Sequence, residues 1–431
     1  MGISCPRVSQ AFFLRWVLFF LLFILVFSPA YSQDYSNRMD DININIVIIS
    51  PGEEIYMWWG HVALVVEDTR RNTTRIFNWG TFTYPSDSFV KDFIHGQIRY
   101  YCSSGYFDMD AYTNGDWEIT AYTLNLDAGA KKSILAYAEN NVLPENCYYD
   151  YQEFRDNCAT RIRDIIDMGT RGQFKAAFSN TSGQHTLRQA VRRYTWFKPF
   201  SDWFLCLLMG QNFDKKITLW EEMFLPVEIA RNIDGFTFID DSGAERKLVD
   251  SKRVFHSSKK SPVILNDALV TWPFALLAGL IIAALLFFLG VQYKKHSRPA
   301  RIFCGLIQSL LGLFLGVSGS ALAVALFFMN NDLFQQNINI LFVNPLLLII
   351  VPLGILCMIN KSFQSITGRI LRIIWTYVFI AGAITLILRI LPFFYQQNQG
   401  VLGFVLPVAF VLSNIPEGIY KRRLLNGGKF R

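Results

Sequence analysis

Tyr151-Gln152-Glu153-Phe154-Arg155-Asp156-Asn157-Cys158-Ala159-Thr160-Arg161 is a polar, aromatic loop running into a helix, with one thiol at the junction. Downstream, Ile162, Ile165 and Ile166 recur at i, i+3 and i+4. That spacing predicts a helix from Ala159 to Met168 with one buried face, closed by Gly169. Asp156 or Asn157 is placed to cap it. The first backbone N–H groups and the helix dipole then favour a Cys158 thiolate and offer a place for an oxyanion. Upstream, Trp59-Gly60-His61-Val62-Ala63-Leu64 sets a histidine at the start of an apolar strand. A thiol at a helix N-terminus and an imidazole on a strand are the groups that cysteine nucleophilic catalysis needs. A plain alternative stands beside this. Exported cysteines usually pair, and Cys102, Cys147, Cys158 and Cys206 would make two disulfides.

Working outward, the β-branched alternation from Ile42 to Ile49 predicts a strand, ended by Ser50-Pro51-Gly52. His61 to Val66 is a second strand, Asp68 to Thr74 a polar turn, and Arg75 to Gly80 the returning strand. A short helix follows over Phe89 to Ile94, a strand over Trp117 to Leu126 and a helix over Ala128 to Val142; Asn146 to Asp156 reads as loop. This mixture predicts an α+β domain. A catalytic imidazole needs a third group to fix its tautomer, and Asn78 on the returning strand is the candidate. It reads equally well as a strand-end residue satisfying a turn. His95 ends the Phe89–Ile94 helix, and His185, after Ser182-Gly183-Gln184, reads as solvated. No Cys-x-x-Cys or His-x-x-x-His pair and no glycine-rich phosphate loop is present, so neither metal nor cofactor is expected.

The apolar fraction is 52%, with 38 Phe, and the charge is divided unevenly. From Asp267 onward there are 13 Lys/Arg against 3 Asp/Glu; the remainder holds 28 against 31. The net +7 therefore comes from basic residues between apolar runs, a membrane pattern rather than a nucleic-acid one. Residues 1–32 read as a signal peptide: Arg15, an apolar run from Trp16 to Phe27, then Ala30 and Ser32 in a small-x-small exit. An exported domain over 33–265 and a multi-pass domain over 266–431 follow. Spans are expected at about 269–291, 302–329, 340–359, 370–391 and 401–415. Lys294, Lys295, Arg298 and Arg301 follow the first span, Lys361, Arg369 and Arg372 the third, and five Lys/Arg crowd the tail. The intervening loops have none. That alternation puts the N-terminal domain outside a bacterial inner membrane and the C-terminus in the cytoplasm. Arg389, near the outer end of the fourth span, reads as a snorkelling cation or a contact to a lipid phosphate.

Ser50-Pro51-Gly52-Glu53 through Trp59-Gly60-His61-Val62-Ala63-Leu64 resembles the first motif of the Lnb N-terminal periplasmic domain family. So do Phe77-Asn78-Trp79-Gly80, Phe154-Arg155-Asp156-Asn157-Cys158-Ala159-Thr160-Arg161, and Glu222-Met223-Phe224-Leu225-Pro226. The likeness runs from about Ile46 to Asn232. It implies a permuted papain-like fold, similar to NlpC-like and lecithin–retinol acyltransferase-like enzymes, with Cys158 as nucleophile and His61 as base. The family's namesake is a bacterial lipoprotein N-acyltransferase. The resemblance therefore implies membrane lipids and lipoproteins as substrates. Beside it, the residue reading has Asn78 orienting His61 and Asn157 or Asp156 supporting the oxyanion. Trp58, Trp59 and Trp79 are then either acyl-pocket or core residues. Two other readings remain: a membrane-tethered papain-like peptidase or amidase acting on cell-wall peptides, and a scaffold with Cys158 in a disulfide.

Overall fold

The run from Ile42 to Ile49 becomes a central strand in the computed structural model, which describes residues 39–82, 99–106, 115–294, 297–329, 331–359 and 364–414. The signal segment, the helix expected over 89–94, His95, Lys295, Lys361 and the basic tail lie outside the described residues. The sheet begins with β1 (Ile42–Ile49), β2 (His61–Asp68), β3 (Thr73–Phe82), β4 (Arg99–Tyr106) and β5 (Ile119–Leu124). Helix α1 (Ala128–Asn141), strand β6 (Tyr148–Asp150) and helix α2 (Cys158–Gly169) follow. Smaller elements come next: α3 (Gln173–Phe178), β7 (Ser182–Thr186), α4 (Leu187–Arg192), α5 (Pro199–Leu208), β8 (Lys216–Thr218), α6 (Leu219–Glu222) and α7 (Pro226–Ile233). Strands β9 (Thr237–Ile239), β10 (Glu245–Lys247) and β11 (Val249–His256) close the N-terminal part.

Seven strands form one antiparallel sheet in the order β11-β5-β1-β2-β3-β4-β6. β1 and β2 pair along their whole length, Ile42 opposite Asp68 and Ile49 opposite His61, so His61 stands at the end of the ladder. Ile44, Ile46 and Ile48 share a core with Val62, Leu64, Phe77 and Trp79, and α2 adds Ile162, Ile165 and Ile166 to it. Val47, Ile49, Ala63, Val65 and Ile76 form a second cluster, so both faces of β1 are covered. Its one deeply buried polar residue, Asn45, is matched: its Oδ1 accepts the Thr123 hydroxyl at 2.7 Å.

Two expectations need correction here. The segment Asn146 to Asp156 is not all loop, because β6 pairs with β4 at the sheet edge. His185 is not solvated. It lies buried in β7, where its Nε2 stands 2.8 Å from the Asn266 carbonyl and its backbone N–H donates to Glu222 at 3.0 Å. Pairing of β7 with β8 turns that polar stretch into a ladder rather than a turn.

The C-terminal part contains α8 (Trp272–Lys294), α9 (Arg298–Phe327), α10 (Ile350–Ile359), α11 (Gln364–Leu388) and α12 (Gln399–Asn414). Among the described residues, four helical segments are long and apolar enough to cross a membrane: Trp272–Tyr293, Arg298–Phe327, Ile338–Ile359 and Ile366–Leu388. The third is irregular. Tight 3-10 turns at Ile338–Leu341 and Pro345–Ile349 lead into α10. Backbone freed by such turns must find partners away from water. Tyr377 Oη donates to the Leu341 carbonyl at 2.5 Å, and Asn344 Nδ2 donates to that of Ile340 at 3.3 Å. The fifth expected span is α12, whose 16 residues are short of the roughly 20 a crossing needs. It nevertheless packs inside the bundle, burying Val401, Leu402, Val405, Val408 and Leu412.

The two parts are locked together. Leu207 of α5 sits in the same buried cluster as the membrane helices, and its carbonyl accepts from Asn337 at 2.8 Å and Asn339 at 3.0 Å. Trp203 Nε1 donates to the Gly400 carbonyl at 3.1 Å. Beneath this joint Arg188, fully buried, holds Asp214 through two bonds of 2.7 and 3.0 Å and also donates to the Cys206, Met209 and Gly210 carbonyls. Asp214 in turn accepts the Gln397 N–H at 2.9 Å.

Candidate active site

Cys158 is the first residue of α2, and Asn157 is its cap. Asn157 Oδ1 accepts the Thr160 N–H at 2.9 Å, and Thr160 Oγ1 accepts the Asn157 N–H at 2.8 Å, a reciprocal capping box. The cap is also a joint, since Asn157 Nδ2 donates to the carbonyls of Glu153 at 2.8 Å and Phe224 at 3.0 Å. Both amide hydrogens are thereby used. The Asn157 side chain therefore acts as cap and joint, with no further N–H to give to an oxyanion. Asp156 neither caps nor faces the thiol. Its carboxylate is held by Arg161 through bonds of 2.5 and 2.7 Å, and that guanidinium lies 4.5 Å from the centre of the Tyr149 ring.

The half-buried Cys158 sulfur is hydrogen-bonded to the His61 ring and accepts the backbone N–H groups of Val62 and Ala159. His61 Nε2 lies 3.0 Å from Asn78 Oδ1. The same oxygen accepts the Gly80 N–H at 2.8 Å, which fixes the amide with its oxygen toward the ring. An amide oxygen only accepts, so His61 Nε2 carries the proton and Nδ1 presents its lone pair to the thiol. Burial works against charge on both partners. For Cys158, the His61 charge and hydrogen bond outweigh it, helped by the two backbone donors, and the thiol pKa is lowered. For His61, the facing sulfur and Asn78 outweigh burial and the pKa is raised. Thiolate and imidazolium are thus the favoured pair.

Local backbone serves this geometry. Gly60, at φ +75°, turns the chain into β2 where any Cβ would meet the Ile49 carbonyl oxygen at 2.7 Å. Between Asn78 and Thr81 the β3–β4 register slips, a bulge that aims Asn78 across to His61. Trp59 and Phe154 both pack against the buried cluster that holds Phe224, so the segment entering β2 and the segment entering α2 share one cluster.

Three tyrosines that the sequence did not single out surround the sulfur. Tyr100 stacks on Tyr151 with centroids 4.0 Å apart, and Tyr149 donates its hydroxyl to the Trp79 carbonyl. Burial, then the charges of Glu153 and Cys158, push Tyr100 up to about 12, so it stays a neutral phenol. Trp79 and Trp58 are buried core residues rather than pocket walls. Trp79 Nε1 is satisfied by Asn141 at 3.1 Å. Cys158 is a free thiol.

Residues 31–193 match the family described as the Lnb N-terminal periplasmic domain. The N-terminal part is thus similar to that domain family over the matched residues. No curated protein and no solved structure matches the chain. His61, Asn78 and Cys158 all fall within the matched residues. The protein is therefore a membrane protein carrying an Lnb-type periplasmic domain.

The Lnb domain meets the membrane part close to the thiol. An aromatic ladder runs Phe224–Phe154–Phe213–Phe334 with centroids 5.2 to 5.3 Å apart, and Arg155 pairs with Asp332 at 2.7 Å. Phe334 and Asp332 lie between the second and third membrane segments. A second feature sits among the helices. Between α8, α11 and α12 is an apolar cavity of about 580 Å³, with Arg389, Gln399 and Trp272 at the end nearest the Lnb domain.

Proposed function

We propose that this protein is a membrane-bound cysteine acyltransferase, with its histidine, asparagine and cysteine in the order of a permuted papain-like enzyme. His61 Nδ1 takes the Cys158 proton, and the thiolate attacks the ester carbonyl of a membrane lipid. The developing oxyanion is met by the Cys158 N–H at the helix start, where dipole and unsatisfied donors favour negative charge. Collapse expels the lipid alkoxide, which takes the proton from His61, and leaves an acyl thioester on Cys158. The α-amino group of a lipoprotein N-terminal cysteine then attacks. His61 accepts its proton and Cys158 leaves as thiolate, regenerating the pair.

The observation that carries this reading is the Cys158–His61–Asn78 relay, set in the part of the domain that is joined to the membrane helices. A peptidase would use the same three groups. The tyrosine wall around the sulfur and the aromatic ladder toward the bilayer favour a lipid donor. The apolar cavity supports it as well. Its lining follows α8 from Trp272 to Ala283, about 16 Å of helix, close to the depth of one hydrocarbon leaflet. An acyl chain fits that slot, with Arg389 at its mouth for the phosphate.

The test is mass spectrometry of lipoprotein N-terminal peptides from cells carrying Cys158→Ala and no redundant enzyme. Loss of the N-linked acyl chain is expected, and unchanged N-acylation overturns the assignment.

A further inference from the structure

The expectation that exported cysteines pair finds no partner for Cys158, which is committed to His61. Cys206 lies apart, buried in α5 beside Arg188 and Arg192. The other two exported cysteines meet. β4 and β6 pair with Arg99 opposite Asp150, Tyr100 opposite Tyr149 and Tyr101 opposite Tyr148. One step further, Cys102 stands opposite Cys147, and the Cys102 N–H donates to the Cys147 carbonyl at 2.9 Å. The Cys147 N–H turns away to the Leu143 carbonyl at 2.9 Å, so the contact is one-sided, but it continues a register in which facing residues have Cα atoms about 5.5 Å apart and side chains on the same face. That lies inside the roughly 4.4–6.8 Å window of a disulfide. Neither thiol is held elsewhere by a strong bond. Cys102 Sγ is 3.9 Å from the Ser103 carbonyl and Cys147 Sγ 3.6 Å from that of Pro144.

We propose that Cys102 and Cys147 are oxidised to a disulfide in the exported protein, stapling the edge strand β6 to β4 beside the active site. β6 has only three residues, and an edge strand that short has little pairing of its own to hold it. It carries Tyr149, whose neighbour Tyr151 stacks on Tyr100 of β4, and the chain runs from it through the capping loop into Cys158. Fixing β6 therefore fixes the tyrosine wall and the approach to the thiol. The oxidant is a protein disulfide of the thiol–disulfide exchange class. The more exposed Cys147 attacks one of its sulfurs as thiolate, expels the other and forms a mixed disulfide. Cys102 then displaces the oxidant's remaining sulfur. The two cysteines lose two protons and two electrons; the oxidant's disulfide is reduced to two thiols.

The experiment uses the full-length protein in membranes, quenched in acid, alkylated under denaturing conditions and digested without reduction. The expected result is a linked pair of peptides containing Cys102 and Cys147, two hydrogens lighter than their sum, with Cys158 and Cys206 alkylated. Alkylation of both Cys102 and Cys147, or a link to any other cysteine, overturns the proposal. A second readout separates staple from ornament. Reduction by a phosphine should lower the melting temperature of the wild type and slow alkylation of Cys158, while leaving Cys102→Ser/Cys147→Ser unmoved. A wild type indifferent to the phosphine overturns the stapling role. Neither readout needs lipid or lipoprotein, so the outcome is independent of the acyltransferase assignment.

Discussion

Gly80 gives the sharpest test of the relay, because it is a position where an added methyl reaches the chemistry without touching it covalently. An alanine Cβ there would stand 2.4 Å from His61 Cε1 and 3.2 Å from both His61 Nδ1 and Asn78 Oδ1. Carbon atoms pack at about 3.5–4.0 Å, so the ring must retreat by roughly 1 Å or the strand must move. The strand is pinned, with the Gly80 N–H on Asn78 Oδ1 and Thr81 paired to Tyr101. A retreat of about 1 Å takes the 3.0 Å bond to Asn78 beyond hydrogen-bond range. The Cys158 thiol then loses the imidazolium that lowers its pKa, and with burial no longer offset its pKa rises. The sign follows: a lowered pKa keeps the thiolate present on acidification, so Gly80→Ala should fail at low pH and recover at high pH. At pH 6.5 even an ordinary thiol is only about 1% ionised, and a buried one less, so the loss of thiolate is about 100-fold or more. A more basic thiolate is intrinsically the better nucleophile, and this trims the loss to about 10-fold or somewhat more. The assay is the rate of iodoacetamide alkylation of Cys158 across pH 6 to about 9.5, with the melting temperature followed alongside. A wild-type pH profile in a folded Gly80→Ala protein would refute the idea that Gly80 keeps room for an imidazole acting on this thiol.

Asn78→Ala removes the acceptor that fixes the His61 tautomer, and turnover should fall about 100-fold with little change in melting temperature; a loss confined to KM would contradict a positioning role. Asn157→Ala deletes a helix cap and two bonds to the neighbouring carbonyls, which should cost about 1–2 kcal/mol in a denaturant titration of the full protein. Arg188→Met strands a buried carboxylate and should destabilise by about 3–5 kcal/mol; Arg188→Met/Asp214→Leu, which removes both charges, should recover most of it.

What the sequence disclosed depended on periodicity. β1 and α2 carry uninterrupted apolar patterns and were legible to within a residue or two. β11 was not, because it is an edge strand exposed along most of its length, and Val-Asp-Ser-Lys-Arg-Val-Phe-His shows no buried face. β6 is three residues of Tyr-Tyr-Asp, too short for any period to register, and only its pairing with β4 makes it a strand. At the site, the residue types of His61, Asn78 and Cys158 were suggestive, but their convergence is a tertiary fact set by the β2–β3 pairing and the α2 cap. The division of roles between Asn157 and Asp156 stays open in the sequence for a related reason. Spacing shows that both precede the helix, whereas hydrogen-bond accounting decides which caps and which is taken by Arg161. Tyr100, Tyr149 and Tyr151 lay in aromatic-rich stretches, the one signal that could have marked them as a wall.

The placement of the relay follows from how its two halves are held. Trp59 enters β2 and Phe154 enters α2, and both pack against the buried cluster that holds Phe224, whose carbonyl also receives Asn157. Phe154 then touches Phe213, and Phe213 touches Phe334 of the membrane part. The residues that bring imidazole and thiol together are thus the ones that dock the domain. An enzyme acting on free peptides has no need of this coupling, since its substrate arrives from bulk water. One that draws an acyl chain from a bilayer must hold its nucleophile at a fixed height above the hydrocarbon, because misplacement by about 1 Å costs on the order of 100-fold in rate. The buried Arg188–Asp214 pair, joined to the Gln397 N–H, ties the two parts together at the same joint. The packing that unites the approaches to His61 and Cys158 is therefore continuous with the joint to the membrane part.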